Sequence, residues 1–153
     1  MASFIYNTAK KEIMDNTIDL DTDTLKVMLV TSSYVANADD DVVDASGAND
    51  PVDHELTGTG YIAGWGNSGR KALTSVTATA DKTNDRAELD AADLTWSGIN
   101  AGTAAAAIII KEGGANDTTS RLIAYIDSGG FPITTNGGDL TVTWNAEGII
   151  HLT

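Results

Sequence analysis

The sequence predicts a mainly β fold: an antiparallel β-sandwich or partly open barrel with one N-terminal α-helix. Three observations carry that expectation. Short runs rich in Val, Ile and Thr recur from residue 61 onward, bounded by Gly, Asn and Asp. Helical spacing of apolar residues occurs only near the start, at Ile5, Ala9 and Ile13. Fifteen glycines stand against two prolines, so the connections depend on glycine and Asx turns rather than on proline-rich linkers.

Each element follows from its own residues. Residues 3–15, "SFIYNTAKKEIMD", form the helix candidate, with Ser3 placed to cap its N-terminus and Asn16 to stop it. "TLKVMLVT" at 24–31 reads as a strand. Its Leu25, Val27 and Leu29 point one way and Met28 and Val30 the other, so it is expected to be covered on both faces. Residues 32–55 form a long acidic loop, mobile if its like charges repel. Within it "DPVDHEL" suggests a helical turn with Asp50 as cap and Pro51 first. The β-rich body spans 61–153. "RKALTSVTATA" and "RAELDAADLTW" flank the turn "DKTND" as a long hairpin. "AAAAIIIK" and "RLIAYID" form a second pair around "EGGANDTTS". "DLTVTWN" alternates Leu140, Val142 and Trp144 against Thr141, Thr143 and Asn145, and "GIIHLT" closes the chain. The whole, 1–153, is expected to be a single domain of six to eight strands.

Composition narrows the chemistry. No cysteine is present, so disulfides and thiolate metal sites are excluded. The longest apolar run, "AAAAIII", is too short to span a bilayer, and the N-terminus lacks the apolar core of a cleaved signal. The net charge is −13, of which residues 1–60 carry −9. Such a surface repels nucleic acid and anionic lipid. Neither nucleic acid nor membrane is therefore an expected partner.

Residues 57–69 hold five glycines, followed by Arg70 and Lys71. A phosphate loop requires glycines that open a helix with Lys-Ser/Thr; here strand-like residues follow, so the glycines read as structural. Seven carboxylates between 39 and 55, and Asp19, Asp21 and Asp23, would suit Ca²⁺ by type, but neither run has the order of a helix–loop–helix calcium site. If "DLDTDT" is extended, its three aspartates share a face. A solvated acidic face is the simpler reading. No Gly-x-Ser-x-Gly elbow occurs, and His54 and His151 lie near no serine nucleophile in sequence. No catalytic residue, cofactor or metal is expected. Trp96 and Trp144 belong in strands and in the core; Trp65, in the glycine loop, is the aromatic expected to be exposed.

The segments "GTGYIAGWGNSGRKALTS", "RAELDAADLTWSGINAGTAAAAIIIKE", "TSRLIAYIDSGGFPITTNGGDLTVTWN" and "GIIHLT" resemble a family of small tailed-bacteriophage virion structural proteins, as does the opening "YNTAKKEIMDNTIDLDTDTLKVMLVTSSY". The resemblance covers nearly the whole chain and departs at 36–55. It implies a non-enzymatic capsid cement (decoration) protein on the outer head shell, made in the host cytoplasm. It also implies the major capsid protein as partner and a homotrimeric state. A tail or baseplate component and a host-attaching carbohydrate-binding module are the alternatives. Tyr61, Trp65, Arg70 and Lys71 are the candidate interface residues, with Arg70 and Lys71 pairing with acids of a neighbouring subunit or of the chain itself.

Overall fold

The computed structural model describes residues 3–153. In chain order the elements are β1 (Phe4–Ile5), α1 (Asn7–Met14), β2 (Leu25–Val30), β3 (Lys71–Ala72), β4 (Thr77–Asp81), β5 (Arg86–Asp90), β6 (Leu94–Trp96), β7 (Thr103–Ala104), β8 (Ala106–Lys111), β9 (Arg121–Ile126), β10 (Ile133–Thr134), β11 (Leu140–Val142) and β12 (Ile150–Leu152). A 3-10 turn, Pro51–His54, interrupts the connection between β2 and β3. The fold is mainly β and antiparallel with one helix, as the sequence predicts. Twelve strands occur among the described residues because several predicted strands divide into short pieces that pair with different partners.

The largest sheet has the order β1-β9-β8-β2-β3. Central β2 is buried along both faces, as its doubly apolar pattern requires. Val27, Met28 and Leu29 lie opposite Ile109, Ile108 and Ala107 of β8, all fully buried. Burying the larger of these side chains contributes about 1.5–3 kcal/mol each. The other sheets are β12-β5-β4 and the two-stranded ladders β10-β7 and β11-β6.

The helix is shorter than predicted. Ser3 does not cap it; its hydroxyl donates to Asp127 Oδ1 and accepts from the Asp127 N–H, both at 3.2 Å. Phe4 and Ile5 pair with β9 instead, and the Phe4 ring stacks on Tyr125 at 5.4 Å. Sheet pairing and aromatic packing outweigh local helix propensity here. Tyr6 occupies the N-cap position without a side-chain cap. The acidic segment takes over that role: the Asn7 N–H donates to Ala38 O at 2.8 Å, Asn7 Nδ2 to Asp39 at 2.7 Å, and the Thr8 hydroxyl to Asp41. Carboxylates at the first turn of a helix are favoured by its dipole. Asn16, at φ 60°, ends the helix where the sequence places the stop.

The acidic segment is pinned rather than repelled into mobility. The Val43 N–H donates to Ser120 O at 3.0 Å and the Leu122 N–H to Asp41 O at 3.2 Å, with Val43 fully buried. Pro51 opens the 3-10 turn as expected, but the Asp50 carboxylate does not cap it. It accepts instead from the N–H groups of Ala45 and Gly47.

The long hairpin is also a correction. Only 77–81 and 86–90 pair with each other; β3 joins β2, and β6 joins β11. The turn between β4 and β5 is held by Asp81, whose carboxylate accepts from the Thr83 and Asn84 N–H groups. The second predicted pair, β8 with β9, forms as read, while Thr103–Ala104 separates to pair with β10. Leu140 and Val142 are buried as expected, but β11 stops before Trp144.

Candidate interaction surface

The glycine segment is built around one buried cation. The chain leaves β2, turns back so that the Leu56 N–H reaches Leu29 O, and reverses tightly at 58–61 through paired bonds between Gly58 and Tyr61. Residues 62–69 then form a loop closed by a bond from the Gly69 N–H to Ile62 O at 2.9 Å. A Cβ on Gly69 would stand 2.5 Å from Ile62 O and 2.6 Å from the Tyr61 ring, so only glycine fits that base. Gly60, at φ 77°, turns where a side chain would press on the Gly98 carbonyl.

Arg70 emerges from the loop directly into the interior. Its Nε and Nη2 donate to Glu55 at 2.9 and 2.6 Å, and its Nη1 and Nη2 to Asp117 at 2.6 and 3.0 Å. Glu112 Oε1 lies 3.6 Å from Nη1. The guanidinium is therefore forked onto two carboxylates at once, in the geometry that favours arginine over lysine. Burial pulls its pKa down, but Glu55 and Asp117 outweigh burial and raise it, so the cation is permanent. The same carboxylates hold the loop: the Gly64 N–H donates to Glu55 at 3.0 Å and the Gly66 N–H to Glu112 at 3.3 Å. Lys26, 2.5 Å from Glu112, ties the cluster to β2.

Tyr61 is equally committed. Its hydroxyl accepts from the Leu29 N–H at 2.9 Å and donates to Glu55 at 3.1 Å. Its ring stacks on Trp96 at 6.3 Å, and Trp96 Nε1 donates to Gly69 O at 2.7 Å. Burial pushes the phenol well above its ordinary range. Lys71 is half-buried, with Nζ 6.0 Å from the centre of the Trp96 ring.

The four predicted interface residues therefore divide. Tyr61 and Arg70 are buried in their own chain, and Arg70 pairs within it, which withdraws both from contact with a neighbour. Lys71 is partly accessible. Trp65 stays outside at 40% exposure, its indole oriented by a 2.8 Å bond from Nε1 to Gly113 O. Ile62, in the same closed loop, is 59% exposed. The sequence reading missed Ile62 and the partners of Arg70. The acids that clamp Arg70 lie 15 and 47 positions away, so no local pattern in the sequence signals its burial.

The remaining polar candidates have other work. Among the described residues no group of three or more His, Asp or Glu is arranged to hold a metal ion. Asp19–Asp23 folds as a turn rather than a strand, with the Asp23 N–H on Asp19 O, and Asp23 pairs with Lys111 at 2.5 Å. His54 packs 6.3 Å from Tyr34, and His151 Nε2 lies 2.6 Å from Glu147 O. Trp96 is fully buried; Trp144 is half-buried and donates to Ala92 O. No helix among the described residues is long and apolar enough to cross a membrane. Comparison with protein-family models, curated proteins and solved structures found no match.

Proposed function

We propose that this chain is a capsid cement protein of a tailed bacteriophage, a non-enzymatic component of the virion surface. It binds the major capsid protein on the outer head shell and stabilises contacts between capsomers. The observation that carries this reading is the pairing of a saturated interior with an apolar tip. Arg70, Glu55 and Asp117 satisfy one another inside the chain, while the loop they anchor presents Ile62 and Trp65 to solvent. A pre-ordered loop loses little entropy on docking, and tryptophan is enriched among residues that dominate interface energy. Lys71 follows at the base of that loop, half-buried beside Trp96. The resemblance of nearly the whole sequence to virion structural proteins supports the same role. A stable contact of this kind buries about 1,200–2,000 Å² in total.

Particles assembled without the protein are expected to release DNA at a lower temperature than complete ones. Adding back Trp65→Ala protein is expected to leave them fragile, and adding back the parent chain to restore them. Equal release temperatures with and without the protein would remove the cement role. Electron cryomicroscopy of the particle locates the chain: density on the head shell supports the proposal, and density confined to the tail reassigns it to a tail component. Retention of Trp65-dependent binding to host glycans by a chain absent from the shell would favour the carbohydrate-binding alternative.

A further inference from the structure

The sheet β12-β5-β4 ends in two strands that have no strand neighbour on their outer sides among the described residues. β4, "TATAD", is exposed along Thr77–Ala80 and carries no proline, lysine or bulge in that run. Those are the devices by which edge strands ordinarily avoid pairing with another chain. The sheet is also two-faced. Ala78, Leu89 and Ile150 align across the three strands, as do Ala80, Ala87 and Leu152, while Thr79, Glu88 and His151 align on the opposite face. A strand added at either edge with the same alternation would prolong both rows.

The other edge, β12, borders a groove. Between β12 and the β1–α1 segment lie two adjoining depressions of about 380 and 350 Å³ that share Ile5, Lys10 and His151. Exposed Met14 and Leu152 line the second. β1 is itself an edge of the larger sheet. The bond from the Tyr6 N–H to Ile123 O sets a register in which the Ile5 N–H and C=O turn away from β9. No Asp or Glu side chain lines either depression, and Lys10 supplies a cation. The β4–β5 hairpin is of the opposite sign: Asp81, Asp85, Glu88 and Asp90 stand against Lys82 and Arg86.

We propose that a second copy of this chain docks here, with the β4 edge of one copy seated beside β12 of the next. The charges select this pairing. Two β4 edges together would set acidic hairpin against acidic hairpin, and two β12 grooves would set Lys10 against Lys10. β4 on β12 sets acid against base and continues both the apolar and the polar rows. The contact is head to tail, so each copy uses both edges once and the assembly is a ring or an open chain. It requires no shell and stands independently of the capsid reading.

The test is sedimentation velocity of the full chain over a range of concentrations. The parent chain is expected to associate; a chain that remains at its 15.9 kDa monomer mass throughout overturns the proposal. Thr79→Lys at one edge and Lys10→Glu in the groove are each expected to weaken association by about 10-fold or more, with melting temperatures equal to the parent's at concentrations where the parent is monomeric. Association unaltered in both variants also overturns it. Because the chain has no cysteine, Thr79→Cys and His151→Cys chains can be mixed and oxidised. A 79–151 disulfide between chains is the expected product. A predominance of 79–79 or 151–151 dimers would show a two-fold contact in place of the proposed one.

Discussion

Arg70 shows how one residue sets the stability of a region. Its side chain is fully buried and joins Glu55, which follows the 3-10 turn, to Asp117 in the loop before β9. Replacing it by alanine leaves two buried carboxylates without their cation, which costs about 3–5 kcal/mol. Urea unfolding is expected to show that loss for Arg70→Ala. Tyr61→Phe is expected to cost about 1–3 kcal/mol, because the buried Leu29 N–H loses its acceptor. A Tyr61→Phe chain as stable as its parent would mean that this N–H finds another partner. Two aspartates should respond to pH in opposite senses. Burial holds the Asp40 carboxyl above its ordinary range, despite the bond from Tyr34. Its contribution to stability is therefore fully present below the unfolded pKa of about 3.8 and lost as pH rises through the higher folded value. At Asp23 burial is the largest single influence and raises the pKa, but the bonds from Lys111 and the Asp19 N–H, with the Lys111 charge, together outweigh it and the net shift is downward. Its contribution is present above about 3.8 and lost as pH falls through the lower folded value. Unfolding of the parent, Asp40→Asn and Asp23→Asn chains from pH 7 down to pH 3 is the measurement. The parent's advantage is expected to grow toward acid relative to Asp40→Asn and to shrink relative to Asp23→Asn.

At the scale of elements, stability follows burial. β2, β8 and β9 are almost wholly interior, whereas β4 is exposed and β5 mostly half-buried. Amide exchange is expected to be slowest in the first three and fastest in the β4–β5 hairpin of the monomer. Equal protection of β4 and β2 would mean that β4 is covered in solution. The strands legible in the sequence are the ones whose own pattern decides them. β2 is apolar on both faces and must be central; β8 and β9 are neighbours joined by a short polar turn. What the sequence hides is competition between partners. Phe4 and Ile5 satisfy a helical period, yet a strand edge and the Tyr125 ring lie within reach. Lys71 and Ala72 read as the start of a hairpin, yet the Arg70 clamp delivers them to β2. The candidate site follows the same division. The exposure of Trp65 is readable from its glycine-rich surroundings. The burial of Arg70 is not, because its three acids come from distant segments. The acidic segment likewise looks free until the N-terminus of α1 and the edge of β9 claim its groups.

The whole molecule carries a charge of −13 on 153 residues, most of it in the first 60. The interior neutralises little of this: the Arg70 cluster sets three carboxylates against Arg70 and Lys26, so it is itself an acidic centre. Salt acts on this charge in two opposing ways. Self-repulsion among surface carboxylates opposes the compact state, and added salt screens it over a Debye length of about 10 Å at 0.1 M. Exposed ion pairs such as Lys11–Asp15 weaken in salt, but pairs of this kind contribute little, and the buried Arg70 pairs are screened far less. Repulsion is therefore the larger salt-sensitive quantity within one chain. Between chains, acid–base attraction at the β4–β12 contact is screened while the general repulsion of two acidic bodies is relieved. The melting temperature is thus expected to rise as sodium chloride increases toward 0.5 M. Calorimetry at fixed protein concentration measures it, with the Thr79→Lys chain run in parallel so that association does not contribute. A melting temperature that falls with salt in both chains would place the dominant electrostatic term in exposed ion pairs, and would leave the solvated acidic face with no role in stability.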